Sequence, residues 1–167
     1  ARRTGDFSEV PTELNADVHS LLITDEEASE QYAVFLRAAM DPESRPLVMH
    51  CSHGVHRTGT ATALLLSALG VPWETVREDY LLSNTYRAAE IDHRLAELRD
   101  LAATAQGIPP DDVDMTNAEE FYQLEASYID ASYKAMLNTY GSVDGYLLNG
   151  VGLTEQELSR LRSELLK

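Results

Sequence analysis

Residues 47–69 constrain the fold more than any other stretch. Leu47-Val48-Met49 reads as a short buried strand, His50 to Gly59 is polar and carries two glycines, and Arg57 onward is helical to about Leu69. Gly70 ends that helix ahead of Val71-Pro72. A strand feeding a helix through such a loop points several backbone N–H groups into one concave space, which the helix dipole makes attractive to an anion. Cys51 and Arg57 are separated by five residues with Gly54 midway. Gly54 permits a positive φ, Arg57 can fork onto two phosphate oxygens, and the same positive field lowers the Cys51 pKa. A thiolate below an in-line phosphate can attack phosphorus and form a phosphocysteine that water hydrolyses. Thr58 is placed to donate to the sulfur when it becomes the leaving group. A lone Cys at the end of a strand is also ordinary core filler, but an Arg at a helix N-terminus is electrostatically unfavoured, which argues that Arg57 is there for an anion.

The rest of the chain reads as mostly helical. Residues 1–17 look like loop, and Val18 to Ile23 reads as a second short strand. Thr24 with Glu27, Thr116 with Glu119 and Thr154 with Glu157 are three capping-box patterns, each opening a helical repeat. The first repeat carries Ala28, Tyr32, Phe35, Leu36 and Ala39; the second carries Phe121, Leu124, Tyr128, Ala131, Ala135 and Met136 up to Gly141; the third carries Leu158, Leu161 and Leu165. Between them lie a short helix marked by Trp73, Val76 and Tyr80, and one marked by Leu95, Leu98 and Leu101 that ends near Gly107. Two strands make a poor sheet alone, so either a helical protein carries a small sheet or strands precede Ala1.

At 167 residues the chain suits one domain, 1–167. Its net charge of −15 argues against a nucleic-acid or anionic-membrane partner. No run approaches a membrane span, and the basic residues near the start lack the apolar run of a signal peptide. One cysteine excludes an internal disulfide and a multi-Cys metal site. A lone thiol suits a reducing compartment, giving a cytoplasmic expectation, although export without a signal would leave no mark. No metal or cofactor is implied.

The segment His50-Cys51-Ser52-His53-Gly54-Val55-His56-Arg57-Thr58-Gly59 resembles the H-C-x5-R-[ST] signature of the cysteine-dependent protein tyrosine phosphatases, and within them the bacterial tyrosine/serine phosphatases. The likeness extends to Ala63–Pro72, Asp79–Asn84, Tyr140–Leu147 and Gly152–Thr154. The resemblance implies an α/β fold: a small, mostly parallel sheet flanked by helices, a helix-rich C-terminal half, and strands ahead of Ala1. It implies a phosphorylated protein or small phosphomonoester as substrate, bound by residues 52–57. It also implies that His50 supports the loop and helps set the Cys51 pKa. The bacterial pattern has Lys and Asp where this chain has Val55 and His56. Val55 weakens a phosphoinositide reading, and His56 is a candidate replacement acid or base, or else packs against the loop. His53 is read as a rim residue.

Expelling an alkoxide or phenoxide calls for an acid near the loop. Asp25 is the best-placed carboxylate, twenty-six residues before Cys51, where the dual-specificity phosphatases similarly place theirs between a strand and a helix. A helix first turn also favours an Asp without any chemistry. Glu26 and Glu27 share the neighbourhood, and Asp79 is read as a partner of the loop or of Arg57. Arg87 and Arg94 read as surface residues, with Arg87 placed to reach a substrate. The apolar faces at 91–101 and 121–136 suit either ordinary core or a lid spanning 85–140. The expected activity is phosphotyrosine hydrolysis. An inositol-phosphate or metabolite phosphatase, and a phosphate-binding module without turnover, remain alternatives; a rhodanese-like sulfur carrier is disfavoured by the Arg-Thr-Gly ending.

Overall fold

Thr60, Ala61, Ala63, Leu64 and Ala68 recur at helical spacing in the run after the loop, and all five are buried. In the computed structural model, which describes residues 4–10 and 14–166 without the side chains of Glu9 and Leu14, this run is the third of nine α-helices among the described residues. They are α1 (Leu14–Thr24), α2 (Glu26–Met40), α3 (His56–Ala68), α4 (Trp73–Tyr86), α5 (Ala88–Gln106), α6 (Thr116–Tyr122), α7 (Ala126–Tyr140), α8 (Val143–Asn149) and α9 (Glu155–Leu165). The chain divides into two compact units, one of residues 1–15 and 81–125, the other of residues 16–80 and 126–167.

The larger unit is organised around α3, against which α2, α7, α8 and α9 pack. Its core includes Ile23, Leu36, Leu64, Met136, Tyr146, Leu147 and Leu161. The small residues of α3 let neighbouring helices approach closely, while Leu64 supplies the buried volume. Polar ties sit at the edges of this core. Ser29 Oγ and Tyr146 Oη are 3.0 Å apart, Arg162 Nε donates to the Ala68 carbonyl at 2.6 Å, and Arg37 Nε donates to Glu157 Oε1 at 2.7 Å. Trp73 stacks on Tyr133 and donates its indole N–H to Asp130.

The smaller unit has its own core of Phe7, Ala102, Ala103, Val113, Met115 and Ala118. Gly5, at φ +69°, brings the chain so near α5 that a Cβ there would lie 2.8 Å from the Ala102 Cα. The Gln106 side-chain amide then donates to the Gly5 carbonyl.

The expected sheet is not formed: among the described residues there is no strand. Val18–Ile23, read as a strand, lies inside α1. Asn15, His19 and Ile23 are all buried at four-residue spacing, which is a helical stripe with a polar middle member. Leu47–Met49 forms no regular element; with the other run helical it has no strand to pair with among the described residues, and a strand exists only through its ladder. Met49 packs against the core, whereas Val48 is 84% exposed. Among the described residues the α/β expectation is therefore replaced by an all-helical architecture that keeps the helix-rich C-terminal half.

Helix starts show similar corrections. Only the Thr154–Glu157 box forms fully. Thr24 is the last residue of α1, its hydroxyl bonded to the Ser20 carbonyl, and α2 is capped instead by Asp25. Asp114 Oδ1 accepts the Thr116 amide, so Thr116 is itself the first residue of α6. The repeat expected as one helix from Thr116 is two, because the Asn84 amide bonds both the N–H and the carbonyl of Leu124, each at 2.8 Å. The loop expectation for residues 1–17 lies partly outside the described residues, at 1–3 and 11–13; residues 14–17 are helical.

Candidate active site

A helix N-terminus leaves its first amides without intrahelical partners. In α3 the N-cap is Val55, which offers no capping side chain. The Cys51 sulfur lies near these amides: those of Thr58, His53 and Val55, with the Thr58 hydroxyl, favour its thiolate. Thr58 is the third residue of the helix, so its amide is the one a capping oxygen ordinarily takes. The Thr58 hydroxyl is buried with no hydrogen-bond partner, and it is the group that most lowers the Cys51 pKa.

This arrangement acidifies the thiol. Burial pushes the Cys51 pKa up, but the Thr58 hydroxyl and then the Thr58, His53 and Val55 amides outweigh it, bringing the value down to about 6. Near neutral pH the group is mostly thiolate. Gly54 has φ +68° and open space around its Cβ position, so the loop needs glycine there for its backbone angle alone. The structure thus places Cys51 beside Thr58 and the loop amides. Arg57, exposed, donates from Nη2 to Ser52 Oγ at 3.1 Å and so spans the loop between the first and sixth residues after the cysteine.

His50 is exposed, and its Nδ1 donates to the adjacent Cys51 carbonyl at 3.3 Å. His53 is exposed, as a rim residue would be. Val55 is 3% exposed, so the position that carries Lys in the bacterial pattern contributes packing rather than charge here. Asp25 is exposed, and its Oδ1 accepts the Ala28 amide at 2.8 Å as the cap of α2. Glu26 and Glu27 follow it in the first turn. Asp79 is exposed on α4. Its neighbour Tyr80 packs on the helix that follows the loop, because a Cβ at Gly59 would lie 2.6 Å from the Tyr80 ring. Arg87 and Arg94 pair with Glu90 and Glu97.

His56, the first residue of α3, sits in a cluster that its sequence neighbourhood does not announce. His56 Nδ1 is 3.1 Å from Nε2 of His19, which is fully buried. His19 Nε2 is also 3.2 Å from Tyr80 Oη, and His19 Nδ1 is 3.2 Å from both Ser132 Oγ and Thr60 Oγ1. Tyr128 stacks on His19 and tilts against His56. Burial first, and His56 second, hold the His19 pKa down to about 3, so it is neutral at neutral pH. His19 and Tyr80 went unread in the sequence as site residues. The four-residue stripe through Asn15, His19 and Ile23 is the one signal that could have marked His19. Among the described residues no group of acidic, Cys or His side chains is suited to hold a metal, and no helix is long and apolar enough to cross a membrane.

Comparison with known proteins agrees with the loop. Residues 3–167 match the tyrosine phosphatase family. The chain is 34% identical over 137 residues to a protein of Cupriavidus necator assigned as a candidate tyrosine-protein phosphatase, covering 82% of this chain and 45% of that one. It is 31% identical over 125 residues to the triple specificity protein phosphatase PtpB of Mycobacterium tuberculosis, covering 73% and 44%. It is 30% identical over 132 residues to a tyrosine-protein phosphatase of Nostoc commune, covering 79% and 42%. The chain spans less than half the length of each of these relatives. With a match along nearly all of its own length, the chain belongs to the tyrosine phosphatase family.

Proposed function

We propose that this chain carries the nucleophile loop of a protein tyrosine phosphatase that works through a phosphocysteine on Cys51. The observation that supports this most is the sulfur's own surroundings: three backbone amides and a hydroxyl converge on it at a helix N-terminus, and the thiol is acidified to about 6. In the first step the Cys51 thiolate attacks phosphorus in line. The S–P bond forms, the ester P–O bond breaks, and the leaving oxygen takes a proton. Amides of residues 52–57 and the Arg57 fork hold the equatorial oxygens, where charge is densest. In the second step water attacks phosphorus, the S–P bond breaks and inorganic phosphate leaves, with the Thr58 hydroxyl stabilising the departing thiolate.

For the leaving-group proton the reading favours His56 over Asp25. His56 lies in the loop itself and its ring is anchored from below, whereas the Asp25 carboxylate is engaged in capping α2. The buried Val55 supports a monoester rather than a polyphosphorylated inositol ring as substrate. The lone cysteine supports a reducing, cytoplasmic setting, and the net charge of −15 supports a partner other than nucleic acid.

The test is turnover of p-nitrophenyl phosphate and phosphotyrosine peptides by the chain and by Cys51→Ser and Arg57→Ala, alongside an inositol polyphosphate panel. Hydrolysis of the aryl esters, abolished by Cys51→Ser and insensitive to chelators, is expected. Faster release from the inositol panel would move the substrate class. Phosphate binding without turnover would make this a binding module.

A further inference from the structure

We infer that the buried His19 is a positioning residue that holds His56 as its Nδ1–H tautomer, so that any proton His56 gives to or takes from a substrate is carried on Nε2. The inference builds on the reading of His56 as the proton donor, but its structural half stands on hydrogen accounting alone.

Each hydroxyl has one hydrogen to give. Ser132 Oγ donates its hydrogen to the His19 carbonyl at 2.9 Å, and Thr60 Oγ1 donates its hydrogen to the His56 carbonyl at 3.1 Å. Both oxygens also lie 3.2 Å from His19 Nδ1. With their hydrogens committed, both can only accept there, so Nδ1 carries a hydrogen. His19 is fully buried and neutral, so its Nε2 presents a lone pair. That lone pair faces the Tyr80 hydroxyl at 3.2 Å and His56 Nδ1 at 3.1 Å. Two lone pairs would repel at this distance, so His56 Nδ1 carries a hydrogen and donates it to His19. The neutral form of His56 therefore has its acceptor nitrogen at Nε2, and protonation adds a hydrogen there. A carboxylate at position 56 would need no such support. An imidazole does, since its two nitrogens are inequivalent and the wrong tautomer presents the wrong one.

The titratable groups that contact this pair are Tyr80 from α4 and Tyr128 from α7; Tyr32 of α2 lies one step further out, beside Thr60, where it feels Arg57 and Cys51. Burial pushes the Tyr80 and Tyr32 phenols up, so both stay neutral through the working pH range and Tyr80 keeps a hydrogen for His19. Tyr128 closes the other face of both rings.

The test is long-range 1H–15N correlation spectroscopy of the histidine-labelled chain across pH 5 to 9, with His56 assigned by His56→Gln. Neutral His56 is expected to show an Nδ1 in the N–H range and an Nε2 in the lone-pair range. His19→Phe, which keeps the ring shape and loses the acceptor, is expected to move His56 to the other tautomer or to a mixture. His19→Gln, whose side-chain oxygen can reach the Nε2 position, is expected to restore it, and His19→Asn, which is too short, is not. An Nε2–H His56 in the unsubstituted chain, or a tautomer unmoved by His19→Phe in a folded protein, overturns the inference. Should His19→Phe fail to fold, the unsubstituted chain and His19→Gln still decide. These readouts need no turnover, so a chain inert on p-nitrophenyl phosphate would defeat the phosphatase reading separately. Where turnover is present, His19→Phe is expected to lower kcat about 10- to 100-fold with little change in KM, part of the usual worth of an acid, and His19→Gln to recover most of it.

Discussion

The ring of Tyr80 occupies the space that a side chain at position 59 would need, with two of its carbons 2.6 Å from where a Cβ on Gly59 would sit. Gly59 is therefore glycine for close approach, since its backbone is helical. Gly59→Ala forces the ring away and draws the Tyr80 hydroxyl from His19. A loss of about 1–3 kcal/mol is expected, as for other overpacked cores, measured by urea unfolding. Tyr80→Leu in the same chain should remove most of that penalty, so the two substitutions are expected to be strongly non-additive.

Thr58 contributes more than any single amide to acidifying Cys51. The rate of iodoacetamide alkylation of the chain should rise through pH 6 and level off above it. Thr58→Val keeps the amide and the shape and removes the hydroxyl, so the midpoint should move upward by at least half a unit, about 0.7 kcal/mol. A midpoint unmoved by that change would mean that the helix N-terminus alone sets the thiol.

Asp25 and His56 can be separated by exploiting the cap. Asn caps a helix about as well as Asp and has no proton to give, whereas Ala does neither. Asp25→Ala should cost about 1 kcal/mol of stability and Asp25→Asn almost nothing, read by thermal unfolding. On phenyl phosphate, whose leaving group needs protonation, Asp25→Asn is expected to stay near full kcat while His56→Gln falls roughly 100-fold. The reverse order would transfer the acid role to Asp25.

Glu157 closes the capping box of α9 and also receives Arg37. The Arg37 hydrogen bond, then the Thr154 amide, hold its pKa down to about 2. A depressed carboxylate stabilises the fold fully above its unfolded pKa and loses that contribution as pH falls through the folded one. The contribution should therefore fade between about pH 4.5 and pH 2. His19 adds to acid lability over a higher window: it is neutral when folded down to about pH 3 and protonates near pH 6.5 when unfolded, so stability should fall as pH drops between those values. Tm measured from pH 7 to 3 should decline, and Glu157→Gln should flatten only the lowest part of the curve.

What the sequence by itself determined is local. The Cys51–Arg57 spacing, Gly54 at positive φ, the stop of α3 at Gly70, the Gly107 end of α5 and the Thr154–Glu157 box all depend on residues within a few positions of one another. Backbone angles and first-turn hydrogen bonds are decided at that range, so motif and propensity suffice. Tertiary structure decided the rest. Whether Val18–Ile23 became strand or helix depended on what its buried face would meet, and the buried residue in its middle is a histidine bonded to Ser132, 113 positions away. The break after Tyr122 depended on Asn84, forty positions from Leu124. Leu47–Met49 has the apolar run of a strand and forms none, because a strand needs a neighbour and pairing is not a property of the segment. The chemistry of position 56 divides the same way: the sequence put a histidine in the loop, and only packing put a second histidine beneath it to choose which nitrogen holds the proton.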